Sequence, residues 1–304
     1  MQIRVLGSAA GGGFPQWNCN CLNCSGARQG SINAQMRTQS SIIIGNGSPD
    51  WALINASPDV LTQIKQTPVL QPARQLRDSG IAAVVLMDAQ VDHVTGLMML
   101  RERNSPLPIY ATQQVFDDLT TGLPLVKTLS HYCTVEQRLI GPEQENFSIP
   151  ELAGIAFKPI TLSSKAPPYS PHRHKPHPGD NIGLLMTDMT SGKKAFYAPG
   201  LGVIEPQVEQ AMRQADVLLV DGTFWTDDEM IGMGLSSKRA IDMGHLAQSG
   251  PGGMIEALAP HSTKRRILIH INNTNPILRE DSPQALQLKA LGIEVAFDGM
   301  HIEI

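Results

Sequence analysis

The sequence predicts a layered α/β domain, with two β-sheets inside and helices outside. Short β-branched runs recur along the whole chain, helical patterns separate many of them, and both kinds of element occupy both halves. A sandwich would lack the helices and a bundle the strands. From the N-terminus the strand runs are IRVLG (3–7), SIIIG (41–45), WALIN (51–55), AAVVLM (82–87), IAFKPITL (155–162), IGLLM (182–186), AFYA (195–198), VLLVDG (217–222), RILIHI (266–271) and IEVAF (293–297). Helical patterns fall at SPDVLTQIKQ (57–66), with Ser57 placed to cap it, VDHVTGLMMLRER (91–103), QQVFDDL (113–119), IEPQVEQAMRQA (204–215) and SPQALQLKALG (282–292), which Gly292 ends. Neither a repeat of fixed period nor a linker marks a boundary, so residues 1–304 are expected to form a single domain.

Composition excludes several classes of function. A chain of 304 residues, 41% hydrophobic and 17% charged, is long enough to bury a sizeable core. Its formal net charge of -4 argues against a phosphate-binding surface, and its longest basic run is Lys264-Arg265-Arg266, so no nucleic-acid partner is expected. The opening MQIRVLG shows no export signal, and apolar runs such as IAAVVLM (81–87) fall far short of the roughly 18 residues a membrane span needs. A cytoplasmic, reducing location is the default expectation, where clustered cysteines bind metal more often than they pair.

Cys19, Cys21 and Cys24 form C-x-C-x-x-C behind a glycine-rich turn. That spacing lets three thiolates converge on one ion at about 2.3 Å each, and zinc is the natural occupant. A disulfide would leave one thiol over, and an iron-sulfur cluster needs a fourth thiolate, for which only the distant Cys133 remains; Cys133 reads instead as a small buried hydrophobe. A closed thiolate-rich site is structural, and it requires a fourth ligand from elsewhere. The loop KAPPYSPHRHKPHPGDN (165–181) excludes regular structure through its prolines and gathers His172, His174 and His177. It reads either as a solvated basic loop or as a ligand-bearing loop beside a pocket.

A second constellation lies in AAVVLMDAQVDHVTGLMML, a buried strand followed by a tight turn and a helix, which gathers Asp88, Gln90, Asp92 and His93 at the strand end. Asp92 alone could be a helix cap. Another strand, RILIHI, ends in HINNTNP, where His270 closes an apolar run, and the two strand ends together suggest a metal site.

With these motifs the chain resembles the metallo-β-lactamase superfamily, whose strand-end H-x-H-x-D-H motif and later histidines and aspartate hold two metal ions. In particular it is similar to the pyrroloquinoline quinone (PQQ) biosynthesis protein B family through GSAAGGGFPQWNCNCLNC, MDAQVDHVTGL, PHPGDNIGL, YAPGLG, VDGTFW, MGHLAQSG, HINNTNP and the closing DGMHIEI. The resemblance implies an αββα sandwich of two mixed sheets flanked by helices. It also shows departures from the superfamily pattern: Asp88 and Gln90 take the places of its first two histidines, and Gly200 that of its bridging aspartate. His177 alone could remain of the first metal site, whereas Asp92, His93 and His270 match the second. Two dications roughly 3.5 Å apart repel by about 20 kcal/mol at an effective dielectric of about 20, so loss of the bridge favours a single metal, although Asp88 returns one carboxylate.

Two histidines and one carboxylate form the ligand set of non-haem Fe(II) centres that activate dioxygen, though zinc on the same ligands would make a hydroxide for hydrolysis. The family resemblance implies hydroxylation, with O2, of the tyrosine-derived ring in a small, amino-acid-like crosslinked glutamate-tyrosine precursor of PQQ. Asp92, His93 and His270 would hold the iron. His245 matches a superfamily histidine used for proton transfer, Asp221 would orient a ligand or a substrate amine, and His177 and Asp88 would contact the pocket; a helix cap or core role is the alternative for His245, and a helix cap for Asp221. Relatives with the same cysteine cluster take the fourth zinc ligand from three residues beyond the final metal histidine, which here is Asn273. On that geometry the cysteine zinc ties the N-terminal loop to the HINN strand end and keeps His270 aimed. A carrier for PQQ or its precursor and a binuclear phosphodiesterase stay as alternative functions, and a homodimer stays open.

Overall fold

In a computed structural model, which describes residues 1–141 and 146–304, the strand runs assemble into two sheets packed face to face. The first contains β1 (Gln2–Gly7), β2 (Ser41–Gly45), β3 (Trp51–Ile54), β4 (Ile81–Val85), β5 (Leu107–Ala111) and β6 (Val135–Leu139). The second contains β7 (Ile155–Thr161), β8 (Ile182–Asp188), β9 (Lys194–Ala198), β10 (Val217–Asp221), β11 (Arg265–Ile269) and β12 (Ile293–Val295). The last strand, β13 (His301–Glu303), returns to pair with β1. Each sheet is mixed: β1–β2–β3 and β7–β8–β9 run antiparallel, while β3–β4–β5–β6 and β9–β10–β11–β12 run parallel.

Side-chain alternation accounts for the layers. Ile42, Ile44, Val85, Leu219 and Ile267 point between the sheets, whereas their neighbours Ile43, Val84, Leu218 and Leu268 point outward into separate clusters beneath helices. Strands buried on both faces must be apolar throughout, which is why SIIIG and IAAVV show no polar alternation. The flanking helices are α1 (Leu22–Gln29), α2 (Val60–Gln66), α3 (Val91–Val94), α4 (Gln113–Asp118), α5 (Leu125–Leu129), α6 (Pro206–Gln214), α7 (Glu229–Gly232), α8 (Met254–Leu258) and α9 (Pro283–Ala290). Among the described residues no helix is long and apolar enough to cross a membrane.

Two helical expectations need correction. The pattern at 91–103 yields only the single turn of α3, followed by a 3-10 stretch, Thr95–Leu100. The His93 carbonyl accepts from the Ala56 N–H at 2.7 Å instead of continuing an α-helical ladder, and a Cβ on Gly96 would lie 2.0 Å from the Ser57 carbonyl, so this segment is pressed directly against backbone. Ser57 does not cap α2 either: Asp59 holds that position, and the Ser57 hydroxyl accepts from the Asp59 N–H at 3.2 Å.

The parallel strands determine where chemistry can occur, because their C-terminal ends carry the polar residues. Asp88 follows β4, Gly200 follows β9, Asp221 ends β10 and His270 follows β11. The 165–181 loop has no helix or strand and lies against this edge. The Tyr169 hydroxyl donates to the Ala89 carbonyl, Thr112 Oγ1 donates to the Gly179 carbonyl at 2.6 Å, and Lys165 Nζ reaches the Asp242 carbonyl at 3.3 Å.

Candidate metal centre

Asp92, His93 and His270 meet at the edge between the sheets. One donor atom from each lies within 4.8 Å of the others, with Asp92 Oδ2 3.4 Å from His270 Nε2 and 3.8 Å from His93 Nε2. The two rings stand at 74° with centroids 5.4 Å apart. His93 is 3% and His270 4% exposed, so both nitrogens face the site from a largely dry wall. His93 Nε2 has no hydrogen-bond partner although it is buried. A buried polar atom without a partner is costly, and a cation between it and the other two donors would satisfy it, so the residues fit a metal ion.

His93 is held from behind. Both Asp88 oxygens face His93 Nδ1, at 2.8 and 2.9 Å, and Asp88 Oδ1 also accepts from the Gln90 N–H at 2.8 Å. Asp88 thus acts on the site through His93, orienting the ring so that Nε2 points to the other donors. Burial disfavours charge on His93, but Asp88 and Asp92 outweigh it and raise its pKa to about 9. Burial works against the Asp92 carboxylate as well, yet His93 and His270 hold it well below the usual carboxylate range. Burial lowers His270 below the ordinary imidazole value. Across the site Gly11 lies over Asp92: a Cβ there would sit 3.1 Å from Oδ2 and crowd the carboxylate.

His245 and Asp221 form a second unit beside the ligands. Asp221 is fully buried; its Oδ2 lies 2.7 Å from His245 Nδ1 and accepts from the Leu201 N–H at 2.8 Å. His245 stacks on His270 with centroids 5.2 Å apart and opens on a cavity of about 450 Å3 lined by Ile241, Leu246 and Ser249, among others. Burial opposes the His245 charge, but Asp221 raises its pKa. A Cβ on Gly200 would meet only His245 Cε1, at 3.9 Å, so the wall beside His245 is open at that position. His177 is not drawn into the donor cluster; it stacks on His172 at 4.4 Å, and its N–H donates to Asp180 at 2.6 Å. Thr223, which the motifs gave no reason to single out, bridges Asp221 and both His245 and His270.

The cysteines form the other cluster, their Sγ atoms lying within 4.8 Å of one another. Cys21 caps α1, accepting from the Cys24 N–H at 3.5 Å. Burial pushes Cys24 up to about 11, so in the metal-free protein this thiol keeps its proton. The Asn273 side-chain nitrogen lies 3.1 Å from Cys19, 3.3 Å from Cys24 and 3.8 Å from Cys21. Turned over, the same amide would present its oxygen to an ion held by the thiolates, so this cluster too fits a cation. Asn23 fastens α1 to the same segment, donating to the carbonyls of Asn273 at 3.1 Å and Asn275 at 2.9 Å, and Asn275 Nδ2 in turn donates to the Gly222 and Thr223 carbonyls. A continuous chain of contacts therefore links the cysteine loop to the strand ends beneath His270.

Fold and site together define a β-lactamase superfamily domain, and residues 50–271 match the family model of that description. The chain is 59% identical to Coenzyme PQQ synthesis protein B of Methylobacillus flagellatus and 60% identical to that of Cupriavidus necator, over 99% of each chain in both comparisons. It is 35% identical, with a TM-score of 0.87 and full coverage of both chains, to a Zn2+-bound PqqB crystal structure from Methylobacterium extorquens. A diphosphatase of the PhnP family shares the fold at 18% identity and a TM-score of 0.69. The chain belongs to the coenzyme PQQ synthesis protein B family.

Proposed function

We propose that this protein acts in PQQ biosynthesis as an iron-dependent oxygenase that hydroxylates the tyrosine-derived ring of the crosslinked glutamate-tyrosine precursor. The observation that carries this reading is the donor set: one carboxylate and two imidazoles approach a common point, with His93 Nε2 buried and unpartnered. The names of its relatives support the pathway. Ferrous iron on such donors supplies electrons to dioxygen. The residues around it provide the rest. His245 has its Nδ1 engaged by Asp221, which leaves Nε2 to take or return a proton at the phenolic oxygen of the substrate. Gly200 leaves the wall beside that ring open to a substrate. One oxygen atom of O2 replaces a ring hydrogen as hydroxyl and the other leaves as water, so each cycle takes two electrons and two protons from an added reductant.

The test uses protein purified without oxygen, loaded with Fe2+ and given precursor, ascorbate and O2. Oxygen uptake that depends on precursor, with a product heavier by one oxygen atom per cycle, is the expected result. Tight binding of PQQ or precursor without turnover would make the protein a carrier instead, and two metals with phosphoester cleavage would make it a hydrolase.

For the cysteine cluster we propose zinc, with Asn273 as the fourth donor. The Cys21→Ser variant should lose that zinc and show a thermal midpoint lower by about 5 °C or more, because structural zinc contributes directly to folding energy. Calorimetry with metal analysis checks this; a variant that melts like the wild type would remove the zinc's structural role.

A further inference from the structure

Thr223 lies between Asp221 and the imidazoles of His245 and His270. Its Oγ1 is 2.6 Å from Asp221 Oδ1, 2.8 Å from the His270 carbonyl oxygen and 3.0 Å from Nδ1 of both His245 and His270. A hydroxyl has one proton to give and two lone pairs to receive with. Both acceptors in reach, the buried carboxylate and the His270 carbonyl, lack protons of their own, and the carboxylate is the stronger. If the proton goes to either one, only lone pairs remain to face the imidazoles.

We propose that Thr223 is a positioning residue that fixes the protonation pattern of the metal centre, holding His270 in the tautomer with hydrogen on Nδ1 and a bare Nε2. In the other tautomer Nε2–H would be spent on Asp92 Oδ2, 3.4 Å away, so the bare nitrogen is the form that leaves both atoms to a metal. Asp221 imposes the same pattern on His245 through its other oxygen. His270 itself adopts φ 63, a conformation that non-glycine residues avoid. This inference rests on the metal-centre reading and concerns how the centre is assembled, not what reaction it performs.

Thr223→Val keeps the shape and removes the hydroxyl, whereas Thr223→Ser keeps the hydroxyl. With the cysteine site filled by zinc, Co2+ is titrated into wild type and both variants and followed by its visible spectrum; 15N spectra of histidine-labelled, cobalt-free protein report which ring nitrogen carries hydrogen. The valine variant should bind Co2+ about 10–100-fold more weakly and show His270 protonated at Nε2, while the serine variant should stay within about threefold of wild type. Wild-type affinity in the valine variant, an Nδ1–H tautomer that survives there, or equal losses in both variants would overturn the proposal. If wild type takes up no Co2+ at the histidine-aspartate centre, the metal-centre reading itself fails, and the inference with it.

Discussion

Replacing His93 or His270 with alanine should remove one bound metal per chain and all turnover while leaving a folded protein. Each change deletes one of the three donors that meet at the sheet edge, and affinity should fall by well over about 100-fold, the upper end for losing only a partner that orients a ligand. The fold should survive because neither histidine belongs to the apolar clusters that hold the sheets and helices together. His93→Ala does leave the buried Asp88 carboxylate without its main partner, a loss on the order of 3–5 kcal/mol against the roughly 5–15 kcal/mol that hold a domain. Metal analysis separates the two clusters, since the cysteine site should keep its ion in both variants. Full metal content and activity in either variant would remove these residues from the centre.

The parts of this architecture that were legible in the sequence share one physical property. SIIIG, AAVVLM and VLLVDG are buried on both faces, so their apolar runs are continuous and end sharply where the chain meets polar residues. Those sharp ends also exposed the site, because an aspartate or histidine that closes an apolar strand stands out. The missed strands lack that contrast. In β5, Pro108 interrupts LPIYA, and β6, VEQRL, is a half-exposed or exposed edge with no buried face to impose a pattern. Helices α5, α7 and α8, of four or five residues each, are too short to display a period, and α1, LNCSGARQ, has too few apolar residues to show one. The helix expected over 91–103 failed for a tertiary reason, the Ala56 N–H that captures the His93 carbonyl. Asp88 stood out as a strand-end carboxylate, but that it reaches the site through His93 depends on the turn folding back over five residues. Thr223 was invisible because a threonine after Asp-Gly resembles any turn residue, and its meaning lies in contacts to His245 and His270, 22 and 47 positions away.

Metal uptake should depend strongly on pH, with a sign fixed by His93. In the metal-free protein the carboxylates of Asp88 and Asp92 raise this imidazole to about 9 against the opposing effect of burial, so at neutral pH it is protonated on both nitrogens. Asp88 faces Nδ1, so the proton a metal must displace is the one on Nε2. Asp92 lies below the usual range and His270 below the ordinary imidazole value, so neither adds a second proton near neutrality. Binding should therefore release about one proton, and the apparent Kd should fall about tenfold per pH unit from pH 7 until it levels near pH 9. Stability of the metal-free protein runs the other way. A group whose folded pKa lies above its unfolded value stabilises fully below the unfolded value, here about 6.5, and that contribution is lost as pH rises through about 9. The gain in thermal midpoint on adding metal should accordingly widen between pH 6.5 and 9. Competition against a chromophoric chelator at several pH values, corrected for the chelator's own protons, measures the slope. Asp88→Asn supplies the control, since an amide cannot hold the imidazolium and both the slope and the proton release should shrink. A slope that is flat in the wild type, or unchanged in Asp88→Asn, would mean that His93 does not carry the displaced proton.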